Sequence, residues 1–211
     1  MKSLLWVFSI LLCFQVAAEN TDPLNKYVFY LHGAIIEKGN PRPIHEKYGL
    51  YDYPAIISSL SEYDFQLISE QRQLDTDHLL YAKKVVSEIN ELLNTGVKPE
   101  DITVIGFSKG AIITVVISSL LKSDEINFVI MATCGEWYDQ DDFLKGLRLR
   151  GNVLSIYERS DLAGSCQSLV KRLPTPSSFI EIELNTGKEH GAFYLPHDEW
   201  VKPLVSWVNR K

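Results

Sequence analysis

The sequence of 211 residues lacks any concentrated run of basic residues, and its 21 Lys and Arg residues are outnumbered by 27 Asp and Glu residues. A nucleic-acid partner would need clustered positive charge to neutralise its phosphates, so we expect no such partner. The sequence also has no internal repeat and no low-complexity segment, and 45% of its residues are hydrophobic. This composition predicts one globular domain with a sizeable core.

Long apolar runs are missing except at the N-terminus. Residues 4–16 are apolar, follow a positive charge at Lys2 and lead into the small residues Val16-Ala17-Ala18. This pattern predicts a secretory signal peptide over residues 1–18, which is too short to span a bilayer. We therefore expect residues 19–211 to form a single domain without a membrane anchor, exported to the periplasm or secreted after cleavage.

Cysteine is scarce, with three residues in the chain. Cys13 would leave with the signal peptide. Two alternatives for this segment are a buried N-terminal helix and a lipoprotein anchored at Cys13, although Leu12 is bulky for a lipoprotein signal. Cys134 and Cys166 remain, and an even pair in an exported protein indicates a disulfide. The alternative is two buried free thiols, and the fold decides whether the pair can meet.

Short apolar runs separated by helical segments fill the rest of the chain. The runs that predict buried strands are residues 27–31, 65–69, 102–105, 127–132, 152–157 and 179–184. Residues 35–53 contain two Pro and two Gly, and they predict a loop over one end of the sheet. Strands that alternate with helices indicate an α/β protein, a three-layer α/β/α sandwich around a mostly parallel sheet of about six strands.

Two helices carry clear start signals. Asp52 precedes a helix predicted over residues 53–62, with a proline in its first turn. Asp75-Thr76-Asp77 introduces a long amphipathic helix that ends near residue 94. Its apolar positions follow helical spacing and predict its buried face: Leu80, Val85, Ile89, Leu92 and Leu93.

The stretch Gly106-Phe107-Ser108-Lys109-Gly110 connects one of these strands to an apolar helix predicted over residues 111–121. A G-x-S-x-G pattern between a strand and a helix is typical of a nucleophile elbow. Side chains in place of the two glycines would collide with neighbouring elements in so sharp a turn. The alternative is an ordinary strand-to-helix turn that the Ser108 side chain caps.

A candidate acid and a candidate base follow in the order that such a serine needs. Asp161 and His190 each come just after a predicted strand, and the carboxyl ends of parallel strands meet at one edge of a sheet. A histidine must take the proton of the serine, and an acid must orient the imidazole. Glu158 is the alternative acid, although a structural role at its strand end fits it better. The alternative bases are weaker candidates: His32, His45, His78 and His197.

The hydrolysis of a carbonyl compound also needs two donors for the developing oxyanion. The backbone N–H of Lys109, the residue after the nucleophile, is one candidate. The other lies in the loop after the first predicted strand, at Gly33 or Ala34. We expect the Lys109 side chain to be solvated, although it could also attract an acidic substrate.

Together, Leu31-His32-Gly33, the elbow at 106–110, Asp161 and His190-Gly191 resemble the α/β-hydrolase superfamily, over about residues 27–209. More narrowly, the sequence is similar to compact, exported bacterial hydrolases of that superfamily. The resemblance implies a minimal fold that lacks the first two strands and a helical lid. It implies hydrolysis at a carbonyl through an acyl-enzyme.

The same resemblance places Cys134 and Cys166 just beyond the ends of neighbouring strands, where a disulfide close to the active site is feasible.

We therefore expect an exported serine hydrolase, an esterase for a small-molecule or short acyl substrate, that uses no cofactor and no metal. The alternatives are a peptidase or amidase of the same fold and a non-catalytic binding protein. We expect residues 35–53 and 137–143 to form the pocket walls. Glu70 and Arg72 could form an ion pair that supports the site, or they could contact the substrate. The acidic run between Glu136 and Asp142 fits a solvated face better than a metal site.

Overall fold

The computed structural model describes residues 25–135, 142–171 and 175–210. Six strands form one sheet in which every pairing is parallel, in the order β4-β1-β5-β6-β7-β8. The sheet strands are β1 (Tyr27–Leu31), β4 (Gln66–Ile68), β5 (Ile102–Phe107), β6 (Asn127–Met131), β7 (Asn152–Glu158) and β8 (Ser178–Leu184). The predicted fold class is confirmed.

The expected loop over the sheet edge contains a 3-10 turn at Ala34–Ile36 and a small antiparallel hairpin. The hairpin strands are β2 (Ile44–His45) and β3 (Gly49–Leu50). Two-residue strands are too short to leave a periodic pattern in the sequence, so only a loop was predictable here. The hairpin lies against the C-terminal part of the chain, since the ring of Tyr48 in its turn is 5.8 Å from the Tyr194 ring between centroids. Just after the hairpin, the Asp52 N–H donates to the Tyr194 carbonyl at 3.0 Å.

Helices cover both faces of the sheet. They are α1 (Tyr53–Leu60), α2 (His78–Asn94), α3 (Lys109–Leu121), α4 (Asp142–Gly146), α5 (Gln167–Val170) and α6 (Asp198–Val208). The predicted caps are confirmed for two of them. The Asp52 carboxylate accepts the Ala55 N–H at 3.1 Å, and the Asp77 carboxylate accepts the Leu80 N–H at 2.8 Å.

Two apolar clusters lie on opposite faces of the sheet. Helices α1 and α6 pack on one face, where Trp200 is fully buried, and α2 and α3 pack on the other. The sequence prediction for α2 was wrong at Leu80, whose side chain is 68% exposed. Leu80 lies in the first turn of α2, while the buried face of this helix is carried by Ala82, Val85 and Ile89.

Some predictions fall on segments that the structure does not describe. The predicted signal peptide, the acidic residues 136–141 and the first part of the expected pocket wall at 137–143 lie outside the described residues. Within the described ranges, no helix is both long enough and apolar enough to cross a membrane.

Candidate active site

Ser108 sits between β5 and α3 in a backbone conformation that L-residues rarely adopt, with φ of 54° and ψ of −119°. Its N–H donates to the Met131 carbonyl at 2.9 Å, and its own carbonyl accepts the hydroxyl of Thr133 at 3.3 Å. The side chain does not cap α3, which argues against the alternative of an ordinary capped turn. Within the described residues the Ser108 hydroxyl makes no hydrogen bond.

Close approach of the backbone explains both glycines of the elbow. A Cβ atom on Gly106 would lie 2.3 Å from the Gly110 carbonyl oxygen, and a Cβ on Gly110 would lie 1.9 Å from the Leu31 carbonyl oxygen. Real Cβ atoms do not come so close to other heavy atoms. The elbow therefore allows α3 to start directly against the end of β1, and any side chain at Gly110 would separate them.

The structure brings Asp161 and His190 into contact. Asp161 lies three residues beyond β7 and His190 lies in a 3-10 turn, Glu189–Phe193, beyond β8. Nδ1 of His190 is 2.8 Å from Oδ2 of Asp161. The aspartate side chain is 6% exposed and the histidine side chain 21%. A buried carboxylate on Nδ1 leaves Nε2 as the ring nitrogen that can exchange protons with a substrate or a nucleophile.

Aromatic rings hold the imidazole of His190 beside the elbow. The Phe107 ring, immediately before Ser108, lies 4.9 Å from it between centroids, and the Tyr48 and Tyr194 rings lie 6.0 and 6.4 Å away. A Cβ on Gly191 would lie 3.1 Å from atoms of Tyr48. A side chain at Gly191 would therefore crowd Tyr48 and the imidazole that it helps to hold.

Glu158, the alternative acid, is fully buried and saturated with hydrogen bonds. Its carboxylate accepts the Ser160 hydroxyl at 2.8 Å, the Thr186 N–H at 2.8 Å and the Thr186 hydroxyl at 3.0 Å. Burial alone raises the pKa of Glu158, but the hydrogen bonds from Thr186 and Ser160 outweigh it and lower the pKa overall. Glu158 therefore joins the loop of Asp161 to the loop that leads to His190, a structural role.

The candidate oxyanion loop follows β1 and lies against the elbow, because Leu31 pairs with Gly106 in the sheet register. A Cβ on Gly33 would lie 3.5 Å from the Ser108 Cβ. Ala34 and Lys109 are the first residues of a 3-10 turn and of α3, and the first N–H groups of a helix have no acceptor inside it. The predicted donors thus lie on two segments next to Ser108.

His32 supports this loop from inside the protein. The ring is fully buried, its Nε2 accepts the Arg72 backbone N–H at 2.7 Å, and its Nδ1 donates to the Gly33 carbonyl at 2.7 Å. Burial and the nearby Arg72 charge lower the pKa of His32 to about 3. A neutral His32 with one fixed tautomer is therefore part of the loop's framework and does not act as a base.

Sequence reasoning missed an ion network behind the oxyanion loop. Arg72 pairs with Glu37 and not with Glu70, which pairs with Lys84, so the expected Glu70–Arg72 pair was wrong. The expectation of a solvated Lys109 was also wrong, since its Nζ lies 2.6 Å from Glu37 and its side chain is 15% exposed. Glu37 gave no signal in the sequence, because it lies in a loop without periodicity.

A disulfide joins Cys134 and Cys166, whose Cα atoms are 4.8 Å apart. Cys134 follows Thr133, which bonds to the Ser108 carbonyl, and Cys166 ends the loop that begins at Asp161. The disulfide therefore ties the loop beyond β6 to the loop beyond β7 at the carboxyl-terminal edge of the sheet. Among the described residues, no group of three or more His, Cys, Asp or Glu side chains is arranged to hold a metal ion.

No protein-family model matches the sequence, and no curated protein sequence matches it either. Solved structures do resemble it. The carboxylesterase EstE1 from a metagenomic library aligns with a TM-score of 0.55 and 19% identity, over 87% of this chain and 78% of EstE1. The Francisella virulence factor BioJ aligns with a TM-score of 0.57 and 13% identity, over 89% and 77% of the two chains.

A protein from Pectobacterium atrosepticum described as a YdeN-like hydrolase aligns with a TM-score of 0.53 and 14% identity, over 87% of this chain and 91% of that one. The chain has the α/β-hydrolase fold. In the α/β-hydrolase fold, a strand-to-helix elbow carries the nucleophile, and the acid and the histidine follow it in the chain. Ser108 lies at such a turn, and Asp161 and His190 follow it in the chain in that order. Among the described residues, the main sheet of this α/β-hydrolase fold has no antiparallel strand, as the resemblance implied.

Proposed function

We propose that this protein is a serine hydrolase that cleaves carboxylic esters through an acyl-enzyme. The observation that carries the proposal is the 2.8 Å contact between Asp161 and His190 at the same sheet edge as Ser108 in its strained elbow. The fold shared with the carboxylesterase EstE1 supports an ester as the substrate. A small-molecule or short acyl ester is the substrate class that we propose.

In the proposed reaction, Oγ of Ser108 attacks the carbonyl carbon while Nε2 of His190 takes its proton. Asp161 holds the Nδ1–H and stabilises the imidazolium that results. The N–H groups of Lys109 and of Gly33 or Ala34 bind the oxyanion. His190 then protonates the leaving alcohol, and it activates a water molecule that releases the acid and regenerates Ser108.

A fluorophosphonate probe tests the nucleophile directly, because it forms a covalent bond with an activated serine. We expect labelling at Ser108, and we expect S108A to lose both the labelling and the hydrolysis of p-nitrophenyl acetate, by about 10⁴-fold or more. S61A is the matched control, since Ser61 is exposed and donates to the Ile57 carbonyl at the end of α1. Full activity of a folded S108A protein would overturn the proposal. An unlabelled wild-type protein would favour a binding protein.

The acid has a separate test. We expect D161N to lower kcat by about 10⁴-fold, because an amide no longer selects the tautomer of His190 that accepts the serine proton. D198N is the matched control, since Asp198 is exposed and pairs with Lys202. A D161N protein with wild-type kcat would assign the orienting role to another group. Rates of hydrolysis measured on the thioester and amide analogues of the same ester would show which acyl bond the protein prefers to cleave.

The proposal also includes export, which the disulfide supports because such bonds persist in oxidising compartments. We expect the full-length chain, expressed in a bacterium, to reach the periplasm or the medium with Glu19 as its first residue. N-terminal sequencing of the purified protein gives the answer. A cytoplasmic product that retains the first eighteen residues would contradict export while leaving the proposed chemistry intact.

A further inference from the structure

A chain of three charged side chains, of which Glu37 and Arg72 are buried, connects the two segments that carry the candidate oxyanion donors. Oε1 of Glu37 accepts from Nε of Arg72 at 3.0 Å, and Oε2 of Glu37 accepts from Nζ of Lys109 at 2.6 Å. The side chains of Arg72 and Glu37 are 0% and 4% exposed. One carboxylate oxygen therefore faces each neighbour, out of contact with solvent.

Arg72 reaches the oxyanion loop through two separate contacts with His32. Its backbone N–H donates to the His32 ring, and its Nη2 donates to the His32 carbonyl. The His32 ring in turn donates to the Gly33 carbonyl. Arg72 thus holds the backbone that immediately precedes the loop donor at Gly33 or Ala34.

Lys109 lies in α3, the second segment that carries a candidate oxyanion donor. Its own backbone N–H is the candidate donor on α3, and its side chain bends back to Glu37. The path from one donor segment to the other runs through Arg72, Glu37 and Lys109. Because the carboxylate of Glu37 is planar and bonded on both oxygens, a shift of either segment has to move the other or break a buried ion pair.

The network is poorly suited to a purely stabilising role. Burying the charges of Arg72 and Glu37 costs desolvation that their mutual attraction often fails to offset, and buried ion pairs can be replaced by apolar residues without loss of stability. Nη1 of Arg72 is buried and has no hydrogen-bond partner among the described residues, which adds a further cost. A role in geometry accounts for the arrangement better.

We propose that Glu37 is a positioning residue that sets the spacing between the two halves of the oxyanion hole, through Arg72 on one side and Lys109 on the other. This inference rests on the proposed function, because it names the groups that align the donors for that reaction. The donors act on the charge that develops in the transition state. The loss of alignment should therefore lower kcat and leave KM nearly unchanged.

Two variants separate alignment from folding. E37Q keeps the shape of the side chain but leaves the buried Arg72 without a counter-ion, so its stability falls as well. K109M keeps the Arg72–Glu37 pair and the Lys109 backbone N–H, and it removes only the link to α3. E70Q is the matched control, since Glu70 forms a half-exposed pair with Lys84 on the same side of the sheet.

Each variant is assayed with p-nitrophenyl acetate well below its own Tm, with active sites counted by fluorophosphonate titration. Losing a whole oxyanion donor typically costs about 10²–10³ in kcat, so we expect misalignment in E37Q and K109M to cost about tenfold or more, with KM within about threefold of wild type. The affinity for a trifluoromethyl ketone, which forms an oxyanion on Ser108, should fall in the same ratio as kcat/KM. E70Q should match wild type in kcat, in KM and in its affinity for the ketone.

The outcomes distinguish this inference from the proposed function. If the wild-type protein reacts with the probe and K109M and E37Q keep kcat within about twofold, the positioning role is overturned and the hydrolase stands. A loss confined to KM or to Tm, with unchanged ketone affinity, overturns it equally. If the wild-type protein is neither labelled nor active, the proposed function fails and this inference fails with it.

Discussion

Three residues at the elbow show how surrounding contacts maintain a strained backbone conformation. Ser108 has a positive φ without being glycine, a strain of about 1–3 kcal/mol that the surroundings must enforce. The Ser108 N–H donates to the Met131 carbonyl and the Thr133 hydroxyl donates to the Ser108 carbonyl, and these two bonds supply part of the constraint. Gly106 and Gly110 let β5, α3 and the end of β1 approach closely enough for those bonds to form.

Gly110 gives the sharpest test at this scale. We expect G110A to lower the free energy of unfolding by about 3 kcal/mol or more, because its Cβ would overlap the Leu31 carbonyl oxygen. G146A is the matched control, since among the described residues no atom outside its chain neighbours and its own helix backbone lies within 4 Å of a Cβ at that site. We expect a change within about 0.5 kcal/mol there. Urea denaturation measures both. A G110A protein as stable as G146A would mean that α3 can move away from β1 at little cost.

The elements of the sheet bring the candidate site together because their carboxyl ends coincide. Glu158, the last residue of β7, pairs with Leu184, the last residue of β8. The loops that follow these two strands therefore start side by side, and the Glu158 carboxylate joins them. The disulfide adds a second connection at this edge, between the loops beyond β6 and β7.

Removing the disulfide tests the contribution of that connection. It closes a loop with a sequence separation of 32 residues, which is worth about 3–4 kcal/mol on the chain-entropy account. We expect the C134A/C166A double variant to unfold at lower urea concentration and to lose hydrolytic activity, since Cys134 adjoins Thr133 and Cys166 ends the Asp161 loop. A thiol assay on the denatured, non-reduced chain from Glu19 onward should detect no free thiol. Two reactive thiols, or unchanged stability of the variant, would contradict this role.

At the scale of the whole molecule, burial of ionisable groups makes stability depend on pH. His32 is fully buried with a pKa of about 3, against 6.5 for an exposed histidine. Between these two values the unfolded chain binds a proton that the folded protein does not, so stability falls as the pH falls from 6.5 towards 3. The lowered pKa of Glu158 acts in the same direction, but only below about pH 4.5.

The window between pH 6.5 and 4.5 isolates the histidine effect. As the pH decreases, we expect His32 to lower the free energy of unfolding by up to about 1.4 kcal/mol per pH unit. His78 and His197 add smaller contributions, because burial lowers their pKa values as well. H32N retains His78 and His197 but lacks the His32 ring. The slope of its free energy of unfolding against pH should therefore be shallower by the His32 contribution. Urea denaturation at each pH measures the slopes. Identical slopes for H32N and wild type would show that His32 does not control acid stability.

Much of the fold was predictable because its signals are local. The runs that form β1, β5, β6, β7 and β8 are apolar and bounded by turn residues. The capping residues of α1 and α2 directly precede these helices in the sequence. The candidate site was predictable for a related reason. Parallel strands align their ends, so Ser108, Asp161 and His190 could be placed at one edge from their positions after strands alone.

The contacts made in three dimensions were not predictable in the same way. Leu80 fits the apolar period of α2, yet it lies in the first turn, where no element covers it. Arg72 lies two residues from Glu70, but it pairs with Glu37, 35 residues away, because β1 and β4 are neighbours and their following loops meet. The environment of Glu158 likewise depends on the loop beyond β8.

Short-range patterning and the coincidence of strand ends were enough to predict the parallel α/β architecture, the elbow and the order of the candidate catalytic residues. The folded protein was needed to show which charges are buried together and how the two oxyanion segments are joined. Those contacts form between loops that are distant in sequence and carry no period, so the packing of the sheet has to bring them together first.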